Sequence, residues 1–446
     1  MSCDVPLLRN KNCLANAKRQ SRFSLSHLGG VALDNIVVQK YGGTSVANAE
    51  RIMNVARRII AAHEAGNRVV VVLSAQGHTT DRLTEKAYEL NPEASRRELD
   101  MLLVTGEQQS VALMAMAIQK LGFQAVSLNA PQVGIKASDN YGNALIEEIA
   151  TERMVTELDA GKIVLVAGFQ GVNCYNDLTT LGRGASDTTA VAIAAVLGAQ
   201  VCEIYSDQEG IFTSDPRIVP KARKIDELGY DDMLELAFSG VQMLHGRAVE
   251  MAKRYNVNVV VRSSMTQAPG TWIKEDSKVE RLSVTGLAID RGVARITVVG
   301  FKDEPGVAYK VFSLLAKEQI PVDIILQSVG VGFNRDICFT VHKPDLAAAT
   351  SILAAHKEEI GYESLTTDEN LAKLAVVGAG MATNFGIASA VFEALYENGI
   401  NIEMINTSEI KLTVLVDENK VAKAANAIHD KFDHLHVFDT EEGVAQ

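Results

Sequence analysis

The sequence predicts an α/β fold, a three-layer αβα domain followed by two smaller βαβ-type repeats. Three observations lead there. From Asn35 onward short β-branched runs alternate with helix-like segments, the runs are apolar continuously rather than at every second residue, and two similar stretches stand 80 residues apart. Continuous apolar strands belong to sheets covered on both faces, so helices are expected on either side.

Ile36-Val37-Val38 is the first strand and Ala49 to Glu64 the first helix. Arg68 to Leu73 follows as a strand, built on consecutive valines. Glu107 to Leu121 reads as a helix leading into the strand Ala125 to Leu128, and Gly142 to Leu158 as a further helix before the strand Ile163 to Val166. Thr188 to Leu197 is helical, Cys202 to Tyr205 is the next strand, and the domain is expected to end near Arg262-Ser263-Ser264. Beyond it, VGFKDEPGVAYKVFSLLAKEQIPVDIILQS (299–328) and GAGMATNFGIASAVFEALYENGINIEMINTS (378–408) align Gly306 with Gly386, Phe312 with Phe392, Ile320 with Ile400, Asp323 with Glu403 and Ser328 with Ser408. Each reads as strand, glycine turn, amphipathic helix, strand, and Val307, Val311, Leu314 and Leu315 supply the apolar face of the first helix. Units this small are expected to pack together or to pair with copies in another subunit.

With 446 residues, 47% hydrophobic and 22% charged, the chain can bury a large core and divide into two or three domains. A formal charge of −12 offers no basic field for nucleic acid or an anionic membrane. Five cysteines without a CxxC pair argue against zinc or a disulfide framework and fit a reducing cytoplasm. No apolar stretch approaches the ~20 residues that cross a bilayer. Residues 1–34 form an extension set apart from the fold: within residues 1–30, Arg9, Lys11, Lys18, Arg19 and Arg22 face a single acid, Asp4, a composition shared by disordered tails, transit peptides and over-long start sites.

Five stretches carry chemistry. KYGGTSV (40–46) places a lysine and two glycines at a strand end, which suggests phosphate, although in the usual P-loop the lysine follows the glycines. TLGRGASDTTAVAIAAVLGA (180–199) offers a tight glycine loop, a helix N-terminus and the planar fork of Arg183 for a carboxylate or phosphate. YSDQEGIFTSDPR (205–217) runs from a strand into an acid-rich turn, VVLSAQGHTTDRL (71–83) from a strand into hydroxylated residues, and VTGEQQS (104–110) sets Glu107 at a helix start. Singly, each is matched by a plain structural reading: a capped helix, a surface turn, a glutamate on a helix dipole. Together, the loops of Lys40, Ser74, Arg183 and Asp207 all follow strands of one sheet and can share an edge. A cation, phosphate donors and an acceptor-recognition group are the parts a phosphoryl-transfer site needs.

In order and spacing these motifs, with VPKARKIDELGYDDMLELA (219–237), resemble the aspartate kinases within the amino acid kinase fold. The downstream repeats, notably GAGM (378–381) and NTSEIKLTVLVDE (406–418), resemble that family's paired ACT domains, so the likeness runs over roughly residues 35–440. It implies a carbamate-kinase-like catalytic domain over 35–270 and ferredoxin-like βαββαβ ACT domains over 280–360 and 361–440, the strand near 283–290 being a candidate for the second. It also implies ATP with Mg2+ as phosphoryl donor, L-aspartate as acceptor and 4-phospho-L-aspartate as product, the first step towards lysine, threonine and methionine. Lysine and/or threonine would be the feedback effectors of a cytoplasmic homo-oligomer joined through its ACT domains. A plastid location is implied only if residues 1–30 are a transit peptide.

Position by position, the resemblance makes Lys40 and Asp187 catalytic. ATP would be lined by Lys40, Tyr41, Gly42, Gly43, Ser206, Asp207, Phe212, Thr213, Ser214, Asp215, Pro216, Arg217 and Gln242, and aspartate by Ser74, Thr80, Glu107, Arg183, Gly184, Ala185 and Ser186. Effectors would meet Asp303, Ala308, Pro321, Val322, Asp323 and Gln327 in the first repeat and Asn401, Ile402, Ser408 and Glu409 in the second. No protein metal ligand is implied, Mg2+ being held mainly by phosphates. Three departures stand out: Gln242 where GVQMLHGR replaces the usual G-A-K-V-L-H-P-R, Ala185 for the second glycine of GRGGSD, and Asn384-Phe385-Gly386 for His-Pro-Gly. Two other readings stay open at this level: a kinase of glutamate or acetylglutamate, and a catalytically weak amino-acid sensor.

Overall fold

In the computed structural model the described residues are 35–435, apart from 183, 242, 276–283, 303, 330–333, 379–380 and 382–384. The extension 1–34 and the site candidates Arg183, Gln242 and Asp303 therefore lie outside the described residues, as does Asn384. The chain divides into two units, one comprising residues up to Ile211 with Asp226–Tyr230 and Met243–Asp276, the other Phe212–Ile225, Asp231–Gln242 and everything from Ser277.

The first unit is built on the strands β1 (Ile36–Tyr41), β2 (Arg68–Leu73), β3 (Ala125–Leu128), β4 (Ile135–Ala137), β5 (Ile146–Ile149), β6 (Ile163–Ala167), β7 (Gln170–Val172), β8 (Leu178–Thr180), β9 (Val201–Ser206), β10 (Glu227–Gly229), β11 (Val259–Ser263) and β12 (Thr271–Lys274). Eight form the main sheet in the order β10-β12-β11-β9-β1-β2-β6-β3, and the pairs β9–β1, β1–β2, β2–β6 and β6–β3 are parallel. Every residue of β6 and the five after Arg68 in β2 are buried, as continuous apolar strands require when both sheet faces are covered. Val69, Val71 and Leu73 pack with Ile52, Ile59, Met114 and Ile118 of the helices Ala49–Glu64 and Thr105–Lys120. The opposite face carries the helix Ala185–Leu197, which is buried over most of its length.

One sequence expectation needs correction. The stretch from Gly142 is not helical throughout: Ile146–Ile149 is β5, paired antiparallel with β4 in a second, four-stranded sheet β5-β4-β7-β8, and the helix begins only at Glu152. Glutamates and alanine gave the segment helical propensity, but Ile149 gains a partner in Ile135, and tertiary pairing overrides propensity. The expectation about apolar length is corrected too. The consecutive helices Arg96–Leu103 and Thr105–Lys120 span 25 residues and are, by length and composition, apolar enough to cross a membrane; over half of that window is buried inside the protein, as in a core helix.

In the second unit, β13 (Gly286–Asp290), β14 (Val293–Lys302), β15 (Ile325–Val329), β16 (Asn334–His342), β17 (Ser364–Asp368), β18 (Leu371–Val377), β19 (Met404–Thr407) and β20 (Lys411–Asp417) form two antiparallel sheets. The order β15-β16-β14-β17, with helices Val307–Lys317 and Leu346–Ala355, is the ferredoxin-like arrangement of a complete βαββαβ repeat. The other sheet, β13-β18-β20-β19, takes its fourth strand from before the first repeat: β13 pairs antiparallel with β18 from Gly286↔Val377 to Asp290↔Lys373. Val293, Ile324, Leu371, Met404 and Leu415 form a small apolar cluster shared by the two sheets.

Candidate functional site

A cleft of about 820 Å³ opens in the first unit where the loops after β1, β2 and β8 converge, lined among others by Lys40, Gly43, Ser74, Thr80, Glu107, Gly184, Ala185 and Ser186. The expectation that its loops all follow strands of one sheet is corrected, since β8 belongs to the four-stranded sheet and β1 and β2 to the main one. Strand alternation decides which side chains reach it. Tyr41 faces the apolar core beneath the helix Ala49–Glu64, so Lys40 faces the other way, towards the helix Ala185–Leu197. There its Nζ lies 2.6 Å from Asp187 Oδ1, and both side chains are largely buried. Asp187 stands in the first turn of that helix, where the dipole favours a carboxylate.

Glu107 comes from the first turn of the helix Thr105–Lys120 and is 3% exposed. Its Oε1 accepts the Ala75 N–H at 3.0 Å, while Oε2 has no hydrogen-bond partner among the described residues. Burial pushes its carboxyl up to about 7, and the hydrogen bond from Ala75 only partly opposes this. A buried carboxylate with one open oxygen is a receptor for a cation or a polar N–H donor.

Backbone geometry shapes the cleft walls. A Cβ at Gly43 would lie 2.5 Å from the Ala75 carbonyl oxygen, so only glycine lets the first loop lie against the second, where Gly77 N–H donates to Gly43 O at 3.0 Å. Gly184 has φ +67°, and a Cβ there would sit 2.5 Å from His245 Cδ2. Phe169, also in the cleft lining, holds φ +67° without being glycine, a strained conformation of the kind that clusters at ligand sites. Ala185, in place of the second glycine of the usual loop, is helical and buried, and needs no positive φ.

Not every candidate joins this cleft. Tyr41 is fully buried and stacked on Tyr205, with ring centroids 4.6 Å apart, and the Gly42 N–H donates to Tyr205 O at 3.3 Å. Ser206 ends β9 and Asp207 follows it in the first unit, where Ser206 Oγ accepts the Gln208 N–H at 3.1 Å. Phe212 to Arg217 belong to the second unit. There the Thr213 hydroxyl lies 3.0 Å from His429 Nε2, Ser214 Oγ donates to Leu287 O, and Asp215, Pro216 and Arg217 form a turn in which Arg217 holds the Asp215 carboxyl below its usual range. Pro321, Val322 and Asp323 line a cavity of about 240 Å³ together with Lys373, whose buried ammonium is 2.7 Å from Asp323 and 3.6 Å from Asp290. Ala308 and Gln327 are exposed outside that cavity. In the other repeat Asn401 donates to Glu403, Ile402 packs on the repeat's core, and Ser408 and Glu409 form the β19–β20 turn.

Sequence reasoning passed over several residues that hold the site. Asp100 is 1% exposed and accepts the N–H groups of Gly142 and Thr180, both at 2.9 Å, and the Thr180 hydroxyl at 2.7 Å. Arg247 donates to the carbonyls of Leu181 and Ala144 and to Asn143 Oδ1. His245 Nδ1 is buried without a hydrogen-bond partner among the described residues, and burial lowers the imidazole's pKa. The acid in RRELDMLL and the arginine in GVQMLHGR gave the only sequence signals, and each reads equally well as a solvated charge. Among the described residues no cluster of three His, Cys, Asp or Glu side chains is disposed to hold a metal.

Comparison with known proteins follows the same division. A profile described as the amino acid kinase family matches residues 35–263, and one described as the ACT domain matches 296–356 and 374–432. A curated protein named aspartokinase from Mycolicibacterium smegmatis is 48% identical over 403 residues, covering 89% of this chain and 96% of the relative. Among solved structures, E. coli aspartokinase III in complex with aspartate and ADP, termed the R-state, superposes with a TM-score of 0.76 at 26% identity, covering 90% of this chain and all of that one. The same enzyme with lysine and aspartate, termed the T-state, gives 0.70 at 26% identity over 91% and 100%.

Proposed function

Because the chain belongs to the aspartokinases of the amino acid kinase family, we propose that its cleft transfers the γ-phosphoryl group of ATP to the β-carboxylate of L-aspartate, giving 4-phospho-L-aspartate. The observation that carries this is the Lys40–Asp187 pair at 2.6 Å in one cleft with Glu107 and Ser186. Glu107, with an open oxygen, suits the substrate ammonium, while Ser74, Thr80 and Ser186 offer hydroxyls to its carboxylates. The resemblance adds Arg183 to the carboxylate contacts.

A β-carboxylate with a pKa near ~3.9 is already ionised at neutral pH, so no general base is required. Its oxygen forms a bond to the γ-phosphorus as the bond from that phosphorus to the β,γ-bridging oxygen breaks; the electron pair leaves with ADP and no proton moves. The task is electrostatic: Lys40 neutralises the charge of the group in flight, and Asp187 fixes the lysine's direction. Mg2+, entering with the nucleotide, would supply further neutralisation of the phosphates. The nucleotide would meet Gly42 and Gly43 after β1, Ser206 and Asp207 at the end of β9, and, by resemblance, Phe212 to Arg217 and Gln242.

The ACT repeats would bind lysine and/or threonine and bias the kinase between states, which requires different effector affinity in each. The cavity at Pro321, Val322 and Asp323 supports an effector role in the first repeat, and the lysine-bound relative supports an amino acid as its ligand. A cytoplasmic homo-oligomer joined through these repeats fits the reading.

ADP release measured with aspartate, glutamate and N-acetylglutamate side by side tests the acceptor. Turnover confined to aspartate is expected; preference for either of the others would overturn the assignment. Absence of all turnover, with effector binding retained in calorimetry, would point to a sensor instead.

A further inference from the structure

The loop from Leu181 to Ser186 contains two left-handed glycines, Gly182 at φ +87° and Gly184 at φ +67°, and the helix it enters has no side-chain cap. Left-handed glycines leave a backbone free to move unless contacts from outside add to its own bonds, here Ala185 N–H to Gly182 O at 3.3 Å and Asp187 N–H to Gly184 O at 3.2 Å. Two charged side chains supply such contacts. Asp100 takes N–H donors from Gly142 and Thr180, and the Arg247 guanidinium gives N–H donors to the carbonyls of Ala144 and Leu181. The same two chain segments are thus gripped by an acid through their amides and by a base through their carbonyls. Arg247 adds a 3.3 Å bond to Asn143 Oδ1, and a Cβ at Gly182 would stand only 2.7 Å from that oxygen. Two residues before the arginine, His245 lays its ring against Gly184.

Arg247 does not line the cleft, yet it bridges the turn at 143–144 to the carbonyl immediately before the loop that carries Ser186 and Asp187. We propose that Arg247 is a positioning residue for acceptor binding: by tying Leu181 O to Ala144 O it holds Gly182, Gly184 and Ser186 against the cleft in which the substrate's carboxylate is read. Planarity matters, because one fork meets carbonyls on two segments, which a lysine ammonium on a flexible stem cannot do with equal constraint. The inference rests on the reading of this loop as part of the aspartate site.

The test is steady-state kinetics of Arg247→Met and Arg247→Lys on the full-length enzyme, varying aspartate and ATP separately, beside Arg183→Ala. Arg247→Met is expected to raise KM for aspartate at least tenfold with KM for ATP within twofold, and Arg247→Lys to restore part of the loss. A KM for aspartate within twofold of wild type in Arg247→Met, or equal rises in both KM values, would overturn the proposal. Should Arg247→Met fail to fold, Arg247→Lys carries the same comparison with an expected rise of about threefold, and an unchanged KM there overturns it. The Arg183→Ala arm separates the two levels. If it raises KM for aspartate while the Arg247 variants do not, only the positioning role falls; if it leaves that KM unchanged, the reading of the loop itself falls.

Discussion

Lys40 and Glu107 reach the same cleft from opposite electrostatic situations. Lys40 keeps a partner at 2.6 Å and is held ready for an anion, so Lys40→Ala should lower kcat at least ~100-fold, the scale seen when one preorganised charge-stabilising donor is removed, with a fold unchanged by circular dichroism. Glu107 has no counter-charge among the described residues, and burial pushes its carboxyl up to about 7. If it takes the substrate ammonium as proposed, it does so ionised, so kcat/KM for aspartate should rise between pH 6 and pH 8 in wild type and lose that component in Glu107→Gln, as pH-dependent kinetics can read. The stability consequence has the opposite sign. The folded pKa lies above the unfolded one, near 4.5, so the unfolded chain gives up its proton first and stability falls as pH rises from about 4.5 to about 7. Glu107→Gln should therefore raise stability at pH 7.5 by roughly 1–3 kcal/mol while impairing aspartate binding, measurable by melting and by KM.

Among the elements, the strand-end loops were the most legible because their chemistry is local. KYGGTSV and TLGRGASD carry lysine, glycines and acid within a few residues, and β1, β2, β6 and β9 lie where the apolar runs stand. Gly43 is a case where the loop tolerates nothing larger. Gly43→Ala would drive a Cβ into the Ala75 carbonyl, and a loss of about 1–3 kcal/mol with at least a tenfold fall in kcat/KM is expected from melting curves and kinetics. Less was readable where a residue's meaning depends on a distant partner. Asp100 looks like one more charge on a helix until Gly142 and Thr180 bring their amides to it. Likewise β5 is a strand only because β4 is beside it, and Phe169 gives no sequence sign of its left-handed backbone.

At the scale of the whole molecule, regulation should appear as coupling between ligands. Lysine and threonine, assayed singly and together with sizing of the enzyme, should inhibit turnover reversibly and alter aspartate or ATP affinity; an enzyme indifferent to both at millimolar concentration would remove the feedback reading. Lys373 gives a sharper handle. Its ammonium rises from β18 to bridge Asp323 and Asp290, so Lys373→Met leaves two carboxylates without their cation and should lower stability by about 1–3 kcal/mol and shift the inhibition curve, with the uninhibited kcat retained. Pairing across the two repeats was visible in the sequence as a repeat at fixed offset, with the strand near 283–290 a candidate for the second repeat through the family resemblance; its register, Gly286 opposite Val377, was not.

That register also sets a schedule. Gly286 leaves the ribosome about 85 residues before Leu371, the first residue of the strand it will lie beside, which at common synthesis rates is a wait of about 4–17 s. Only at its end, when β17 is complete three residues before Leu371, can the first repeat close its own sheet, and until then β13 remains an apolar strand whose partner does not yet exist. The second sheet should therefore become protease-resistant only after β20 has emerged, late and all at once, which limited proteolysis of stalled nascent chains would reveal as a single step rather than two.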